Sequence, residues 1–174
     1  YDATNRVITT GNSTGNNYSY TYDNNGNVLT MSNIAGTSTM TYDSLNQLIQ
    51  YLDPHGNLVS FNYDSTGNKT AIIYPGNKIV FYTYDGANNL ASVTDWLNQT
   101  FTYAYDSSGR TSQLTYPNGI SCEYGYDNAG RLDRKITRLS SGQIISGSTL
   151  TLDEVGNRVS EHRLAQVPAM LPSI

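Results

Sequence analysis

Residues 22–28 read Tyr-Asp-Asn-Asn-Gly-Asn-Val, and residues 126–132 read Tyr-Asp-Asn-Ala-Gly-Arg-Leu. The Tyr-Asp pair recurs at intervals of 20 or 21 residues, beginning at Tyr1, Tyr22, Tyr42, Tyr63, Tyr84, Tyr105 and Tyr126. An eighth copy, Leu152-Asp153, follows after 26 residues and has lost its tyrosine. A fixed spacing over the length of a chain predicts a tandem array of small structural units.

Each Tyr-Asp pair is followed by a residue that tolerates a positive φ angle. Four positions after the tyrosine stand Asn5, Gly26, Asn46, Gly67, Asn88, Gly109, Gly130 and Gly156. The pattern Asp-x-x-Gly predicts a tight turn, with the aspartate side chain accepting hydrogen bonds from amides just ahead of it. The residues assigned to this structural motif are Tyr22, Asp23, Gly26, Tyr63, Asp64, Gly67, Tyr84, Asp85, Tyr105, Asp106, Gly109, Tyr126, Asp127 and Gly130.

A second turn is predicted about two-thirds of the way through each unit. It is marked by Gly15, Gly36, Gly56, Asn98 and Gly119, which lie 14 residues after their tyrosines, and by Gly76, which lies 13 after. Two turns per unit leave two strands of roughly five to seven residues. The sequence therefore predicts an all-β chain of β-hairpins.

The strand that ends in Tyr-Asp alternates with a period of two. Two residues before the tyrosines stand Tyr20, Met40, Phe61, Tyr82, Tyr103, Tyr124 and Leu150, and mostly polar residues lie between. Alternate side chains of a strand point to opposite faces, so one face is apolar and aromatic. Adjacent hairpins must then cover one another, which predicts a curled, solenoid-like antiparallel β-strip with open edges.

Composition excludes several classes of function. The net charge of −4 argues against nucleic acid as a partner, and the basic cluster of Arg131, Arg134, Lys135 and Arg138 is interpreted as a solvated strand face. The single cysteine excludes an internal disulfide and a cysteine-built zinc site. No apolar run approaches the ~20 residues of a membrane-spanning helix.

No residues are predicted to be catalytic, to bind a metal or to bind a cofactor. The repeated aspartates resemble catalytic carboxylates only in type, because a catalytic pair would be unique rather than copied in each unit. His55 and His162 lie in different units without companions at ligand spacing, and His55 occupies a turn. Cys122 falls on the aromatic face and is interpreted as a small buried hydrophobe.

The aromatic residues leave two interpretations open. Their alternation with Val, Phe and Met favours packing, but exposed rings could also stack on sugars. Trp96, Tyr82 and Tyr103 are therefore the candidate ligand contacts. Trp96 and Leu97 form an apolar pair at a second turn, which is a candidate contact with another chain or shell segment.

The motif Tyr-Asp-x-x-Gly-[Asn/Arg]-[Leu/Val] resembles the YD or Rhs repeat, over residues 1–163. Such repeats form a large β-shell in Rhs proteins, toxin-complex components and teneurins, and in bacterial members the shell encloses a toxic domain. The resemblance implies a fragment of shell wall from a secreted or surface bacterial protein. It departs from the family in its small number of units, in lacking a recognisable boundary motif and in residues 164–174, a non-repeat tail that is a candidate cap for one edge.

The sequence thus predicts a non-enzymatic structural segment whose partners are the rest of the parent shell or other copies of the chain. An encapsulated toxin domain is a further partner that the resemblance implies. Two alternatives stay open: a module that binds glycans or a cell surface through the tyrosines, and a filament that assembles through strand edges.

Overall fold

The computed structural model describes residues 1–11 and 17–164, and this part of the chain contains strands but no helix. The strands are β1 (Thr9–Thr10), β2 (Tyr18–Tyr22), β3 (Val28–Asn33), β4 (Gly36–Tyr42), β5 (Leu48–Leu52), β6 (Leu58–Tyr63), β7 (Lys69–Tyr74), β8 (Lys78–Tyr84), β9 (Leu90–Thr94), β10 (Thr100–Tyr105), β11 (Thr111–Thr115), β12 (Ser121–Tyr126), β13 (Leu132–Arg138), β14 (Ile144–Leu152) and β15 (Arg158–Leu164). The prediction of an all-β chain of tandem hairpins is confirmed.

The chain divides into two compact units that each contain several repeats. We call them the first unit, Tyr1–Tyr82, and the second unit, which begins at Thr83. In the first unit each strand from β1 to β8 pairs antiparallel with the next strand of the sequence. The same holds in the second unit from β9 to β15. Each unit is therefore a meander, whose successive turns fall alternately at the two ends of the strands. We call the row of Tyr-Asp turns the Tyr-Asp edge, and the row of second turns the other edge.

The predicted turn residues have the backbone conformation that their identities suggested. All eight residues that follow the Tyr-Asp pairs have positive φ, as do Gly36, Gly56, Gly76, Asn98 and Gly119 at the second turns. Gly15 lies outside the described residues. The structure adds a second turn that the sequence reading missed, from Leu139 to Gln143, in which Gly142 has a φ of 87°.

A β-bulge follows most of the Tyr-Asp turns, which the sequence reading also missed. Thr21 pairs with Thr30 but Tyr22 pairs with Val28, so Leu29 is an extra residue on its strand. The same shift occurs beside Tyr42, Tyr63, Tyr105, Tyr126 and Leu152. Since a bulge locally increases strand twist, twist is added repeatedly at the Tyr-Asp edge.

Both faces of the sheet contribute buried side chains. Val80 and Cys122 are buried on the face of the tyrosines, at the position four residues before Tyr84 and Tyr126. Ala71 and Ile136 are buried on the other face, where Ala71 is paired with Asn62 and Ile136 with Glu123. The tyrosines two positions before each Tyr-Asp pair are half-buried. The rings therefore cover one another only in part.

Strand lengths depart from the predicted five to seven residues at the two ends of the array. β1 has two residues and β14 has nine. The predicted boundary between the repeats and the tail stays a prediction, because β15 extends to Leu164 and the proposed cap in residues 165–174 lies outside the described residues.

Candidate functional site: the Tyr-Asp turns and a groove between second turns

The aspartate of each Tyr-Asp pair holds its turn closed. In the turn that begins at Asp106, the carboxylate Oδ1 accepts hydrogen bonds from the amides of Ser108 and Arg110, both at 2.9 Å. The backbone adds two more bonds, from Gly109 N to Asp106 O and from Asp106 N to Arg110 O. The equivalent pair of amide bonds is made by Asp2, Asp23, Asp43, Asp64, Asp85, Asp127 and Asp153. Each of these aspartates therefore accepts backbone hydrogen bonds from its own turn.

In most of these turns the second carboxylate oxygen accepts a hydrogen bond from the side chain four residues later. In one kind of turn an asparagine Nδ2 donates to Oδ2, as in the 2.8 Å bond from Asn27 to Asp23. In the other an arginine Nε donates, as in the 2.7 Å bond from Arg131 to Asp127. This role was missed in the sequence, although the restriction of that position to Asn, Gln or Arg was its signal. It also corrects the solvated-strand interpretation of Arg131, which lies in a turn and is ion-paired.

The hydroxyls of four motif tyrosines join a Tyr-Asp turn to the one before it. The hydroxyl donates to the backbone carbonyl 15 residues earlier in the pairs Tyr22–Val7, Tyr63–Leu48, Tyr105–Leu90 and Tyr126–Thr111, at 2.7 to 2.9 Å. Each acceptor lies directly after the preceding Tyr-Asp turn. Leu152 has no hydroxyl and cannot make this bond. The tyrosine of the motif thus packs within the sheet and can also join its own turn to the preceding Tyr-Asp turn.

In two of the turns that contain arginine, the arginine side chain also contacts the following Tyr-Asp turn. Nη1 of Arg131 donates to the carbonyl of Asp153 at 2.7 Å, and Nη1 of Arg6 donates to that of Asp23 at 2.8 Å. The guanidinium of Arg6 also lies over the ring of Tyr22, 4.6 Å from its centre. A charged, planar group over an aromatic face adds a favourable cation–π contact. Consecutive turns are therefore connected through side chains as well as through the sheet.

These hydrogen bonds keep the turn aspartates ionised. The hydroxyl of Thr66, followed by the amide of Asn68, lowers the pKa of Asp64 from its ordinary 3.8 to about 2. The amide of Arg110 is the main cause that lowers the pKa of Asp106. The pKa of Tyr63 is raised, first by burial and then by the charge of Asp43. A carboxylate held in this way is a poor proton donor at neutral pH.

The other polar candidates lie apart from one another. His55 lies at a turn with 74% of its side chain exposed, 3.9 Å from Oδ2 of Asp53, and His162 is exposed on β15. Cys122 is 6% exposed and lies 3.5 Å from the hydroxyl of Thr137. Within residues 1–11 and 17–164, three or more His, Cys, Asp or Glu side chains nowhere form a group that could hold a metal ion.

The three candidate ligand contacts differ in their surroundings. Tyr82 is half-buried on β8 of the first unit. Tyr103 is half-buried on β10 and lines an open hollow of about 390 Å³, together with Tyr124, Tyr126 and Leu114 among others. Trp96 is 48% exposed at the tip of a second turn. Their proposed part in ligand binding stays a prediction.

A groove lies between two neighbouring second turns of the second unit. It has a volume of about 510 Å³ and is lined by Asn98, Gln99, Phe101, Tyr116, Pro117 and Asn118. The rings of Phe101 and Tyr116 meet edge to face, with centres 5.7 Å apart and an interplanar angle of 70°. This geometry is a favourable aromatic pairing, and it gives the groove a firm apolar floor.

The fold and its turns define a class, the tandem arrays of Tyr-Asp hairpins. The model of the teneurin YD-shell family matches residues 1–67 and 50–143, and this chain belongs to that family. No protein of curated function matches the sequence significantly. Among the described residues, no helix has the length and apolar character needed to cross a membrane.

The solved structures with a similar fold include complexes that contain TccC3. The crystal structures of TcdB2-TccC3 and of TcdB2-TccC3-Cdc42 each match with a TM-score of 0.69 and 18% identity, over 86% of this chain and 9% of theirs. The Photorhabdus luminescens Tc holotoxin pore, with a mutation in TccC3, matches with a TM-score of 0.56 and 15% identity, over 96% of this chain and 12% of that one. The chain thus spans about a tenth of the structures it resembles. Family and fold together support a structural, shell-forming role for these repeats.

Proposed function

We propose that this chain is a non-enzymatic segment of the wall of a larger YD-repeat shell. The observation that carries the proposal is the recurrence of the hydroxyl-to-carbonyl bond, from Tyr22, Tyr63, Tyr105 and Tyr126, each of which ties a Tyr-Asp turn to the one before it. Such ties stabilise a continuous sheet and leave the motif residues occupied with one another. That arrangement suits a wall better than a site that must receive a substrate.

The chemistry of the polar residues supports the non-enzymatic part of the proposal. The turn aspartates accept amide hydrogen bonds within their own turns, as Asp106 does from Ser108 and Arg110. A general acid or base must instead reach a proton on the substrate and have a pKa near the working pH. Hydrogen bonds lower the pKa of Asp106 and Asp127, which moves these groups away from that range.

The proposed partners are the remainder of the parent shell or further copies of the chain, with an enclosed toxin domain in the parent protein. Membership of the YD-shell family and the likeness in fold to TcdB2-TccC3 support this assignment. We propose that the parent is a secreted or surface protein of a bacterium. The repeat array at residues 1–163 would be wall, with residues 164–174 as a tail.

Electron cryomicroscopy of the longest natural protein that contains this segment tests the proposal. We expect the segment to lie within a continuous wall, with the hydroxyls of Tyr63 and Tyr126 bonded as they are here. A segment that projects from the body as a separate appendage would overturn the wall assignment. Turnover of a substrate by the purified chain, abolished by a single side-chain substitution, would overturn the non-enzymatic assignment.

A second candidate function is glycan binding at the hollow lined by Tyr103, Tyr124 and Tyr126. Three aromatic rings around an open, mostly apolar hollow could stack on the face of a hexose. Calorimetric titration with neutral oligosaccharides distinguishes the two functions, with Tyr103→Ala as the test variant and Tyr51→Ala, in the first unit, as the control. Binding that is lost in the first variant and kept in the second would favour this candidate.

A third candidate is assembly through strand edges. In the described part of the chain, β15 is paired on one side with β14 and on no other side with a strand. An unpaired edge is a template for another strand. Filaments that lengthen with concentration, and that disappear when Ser160→Pro interrupts β15, would favour this candidate.

A further inference from the structure

The turn between β9 and β10 presents apolar side chains on a fixed backbone. Leu97 is 65% exposed and Trp96 is 48% exposed. The carboxylate of Asp95 accepts hydrogen bonds from Leu97 N at 2.8 Å and from Gln99 N at 2.9 Å. The position of this apolar tip is therefore defined by the same turn geometry that closes the Tyr-Asp turns. Burying such a tip would cost little backbone entropy, because the backbone is already ordered.

The aromatic groove described above lies directly beside this tip. Asn98 and Gln99, which line the groove, follow Leu97 in the same turn, and Tyr116 and Pro117 come from the next second turn. Tyr116 is 36% exposed, so part of its ring is available to a partner. One stretch of surface thus carries both a projection and a recess of apolar character.

The charge distribution permits a second copy of the chain as the partner. The six residues that line the groove are all uncharged, and so are Trp96 and Leu97. Asp95 is the acidic residue of this turn, and its carboxylate is engaged by backbone amides. Two chains of net charge −4 repel one another in general, but they could approach along this surface without opposing like charges.

We propose that this surface is a homotypic contact, in which Trp96 and Leu97 of one chain occupy the Phe101–Tyr116 groove of a second copy. Because the projection and the recess lie side by side, two copies related by a two-fold axis can each insert the projection into the recess of the other. The contact is small compared with the ~1,200–2,000 Å² that a stable interface buries. It is therefore weak in isolation, and becomes effective where many copies or rows of wall are held close together.

Trp96 is the only tryptophan and provides the measurement. Fluorescence and sedimentation equilibrium would be recorded on the purified chain from low micromolar to millimolar concentration. We expect a blue shift of the Trp96 emission that follows the conversion of monomer to dimer. Leu97→Ser and Tyr116→Ser should each weaken association at least tenfold without unfolding the chain, because both side chains are partly solvated. Leu45→Ser is the matched control, since Leu45 is 70% exposed at the tip of a Tyr-Asp turn and should leave association unchanged.

Three results would overturn the proposal. One is a monomer with unshifted Trp96 emission at millimolar concentration. Another is association that persists in Leu97→Ser and Tyr116→Ser but is lost in Ser160→Pro, which would assign it to the edge of β15. The third is an emission shift that requires an added oligosaccharide, which would make the groove a sugar site.

Discussion

The two edges of the sheet are built by different rules, although the chain passes from one to the other at every strand. At the Tyr-Asp edge each turn has an aspartate whose carboxylate accepts hydrogen bonds from two backbone amides. An Asn, Gln or Arg stands four positions after that aspartate, and in most cases a β-bulge follows the turn. At the other edge the turns are closed by different groups, such as Asp53, the amide oxygen of Asn118 or the backbone of Leu139. Only one edge therefore repeats its chemistry.

The edges also differ in what they show to solvent. Ile34 is 83% exposed and Leu97 is 65% exposed at second turns, whereas most tips at the Tyr-Asp edge are small or polar. Leu45 and Val155 are the exceptions there, at 70% and 82%. The difference shows that the repeat fixes the residues of the Tyr-Asp turns, which are joined to one another, and leaves the residues of the second turns free to vary. Specific contacts are then expected at the variable edge.

Acid should have the largest effect, because it removes the shared element of the Tyr-Asp edge at every turn. Hydrogen bonds to the carboxylates lower the pKa of these Tyr-Asp aspartates: Asp2, Asp23, Asp64, Asp85, Asp106, Asp127 and Asp153. A group with a lowered folded-state pKa contributes fully above its ordinary value of 3.8 and loses that contribution as the pH falls through the folded value. The thermal midpoint should be flat from pH 7 to about 4.5 and fall steeply towards pH 2. Circular dichroism would measure it, and a fall already between pH 7 and 5 would contradict this explanation.

Removing a tyrosine should cost more at the Tyr-Asp edge than at the other. Tyr126→Ala removes a half-buried ring, its bond to the Thr111 carbonyl and its contact with the guanidinium of Arg110. We expect a loss of roughly 2–3 kcal/mol in the free energy of unfolding. Tyr116→Ala removes a more exposed ring and should cost about 1 kcal/mol. Urea unfolding of both variants makes the comparison, and equal losses would show that the two edges are equally important.

Glycine substitutions should reverse that order. Gly109→Ala, at the Tyr-Asp edge, places a methyl group in open space at a φ of 75° and should cost about 1 kcal/mol. Gly119→Ala, at the other edge, adds a clash, because its Cβ would lie 2.8 Å from Cβ of Ser140. We expect about 2 kcal/mol there. A smaller cost at Gly119 than at Gly109 in the same unfolding assay would mean that the turn containing Ser140 yields easily.

A more conservative substitution isolates a single hydroxyl. Tyr105→Phe keeps the ring and loses the 2.9 Å bond to the carbonyl of Leu90, which should lower the free energy of unfolding by about 1 kcal/mol. Tyr103→Phe, on the same strand, is the matched control and should change it by less than about 0.5 kcal/mol. Hydrogen exchange at the amides next to Leu90 would sharpen the result. Unchanged protection in Tyr105→Phe would argue that this hydroxyl does not join its turn to the preceding Tyr-Asp turn.

Much of this fold could be predicted because its rules are local. The spacing of Tyr-Asp pairs, the positive-φ residues and the alternation of the preceding strand each depend on a few neighbouring residues. The role of Arg131 could not be predicted in the same way, since its carbonyl acceptor on Asp153 lies 22 residues away. The bulged residue Leu29 also lacked a signal, because the sequence has no glycine there to mark it.

The candidate sites were predictable only in part. The sequence identified Trp96 and Leu97 as an unusual pair at a turn, but the groove beside them depends on Phe101 and Tyr116 meeting across neighbouring strands. The turn at Gly142 was missed because it lies 16 rather than 14 residues after its tyrosine, which the longer strand β13 explains.

The order of the strands has a consequence for how the chain folds. Within each unit every strand pairs with its immediate neighbours in sequence, so that Ser121 and Arg138, for example, meet across only 17 intervening steps of chain. Short loops close quickly and at small entropic cost, and β proteins fold slowly chiefly when their pairings are distant. Each hairpin can therefore add to the last as soon as it leaves the ribosome or an export channel. A chain of this design can be threaded through a narrow passage and assembled on the far side one hairpin at a time.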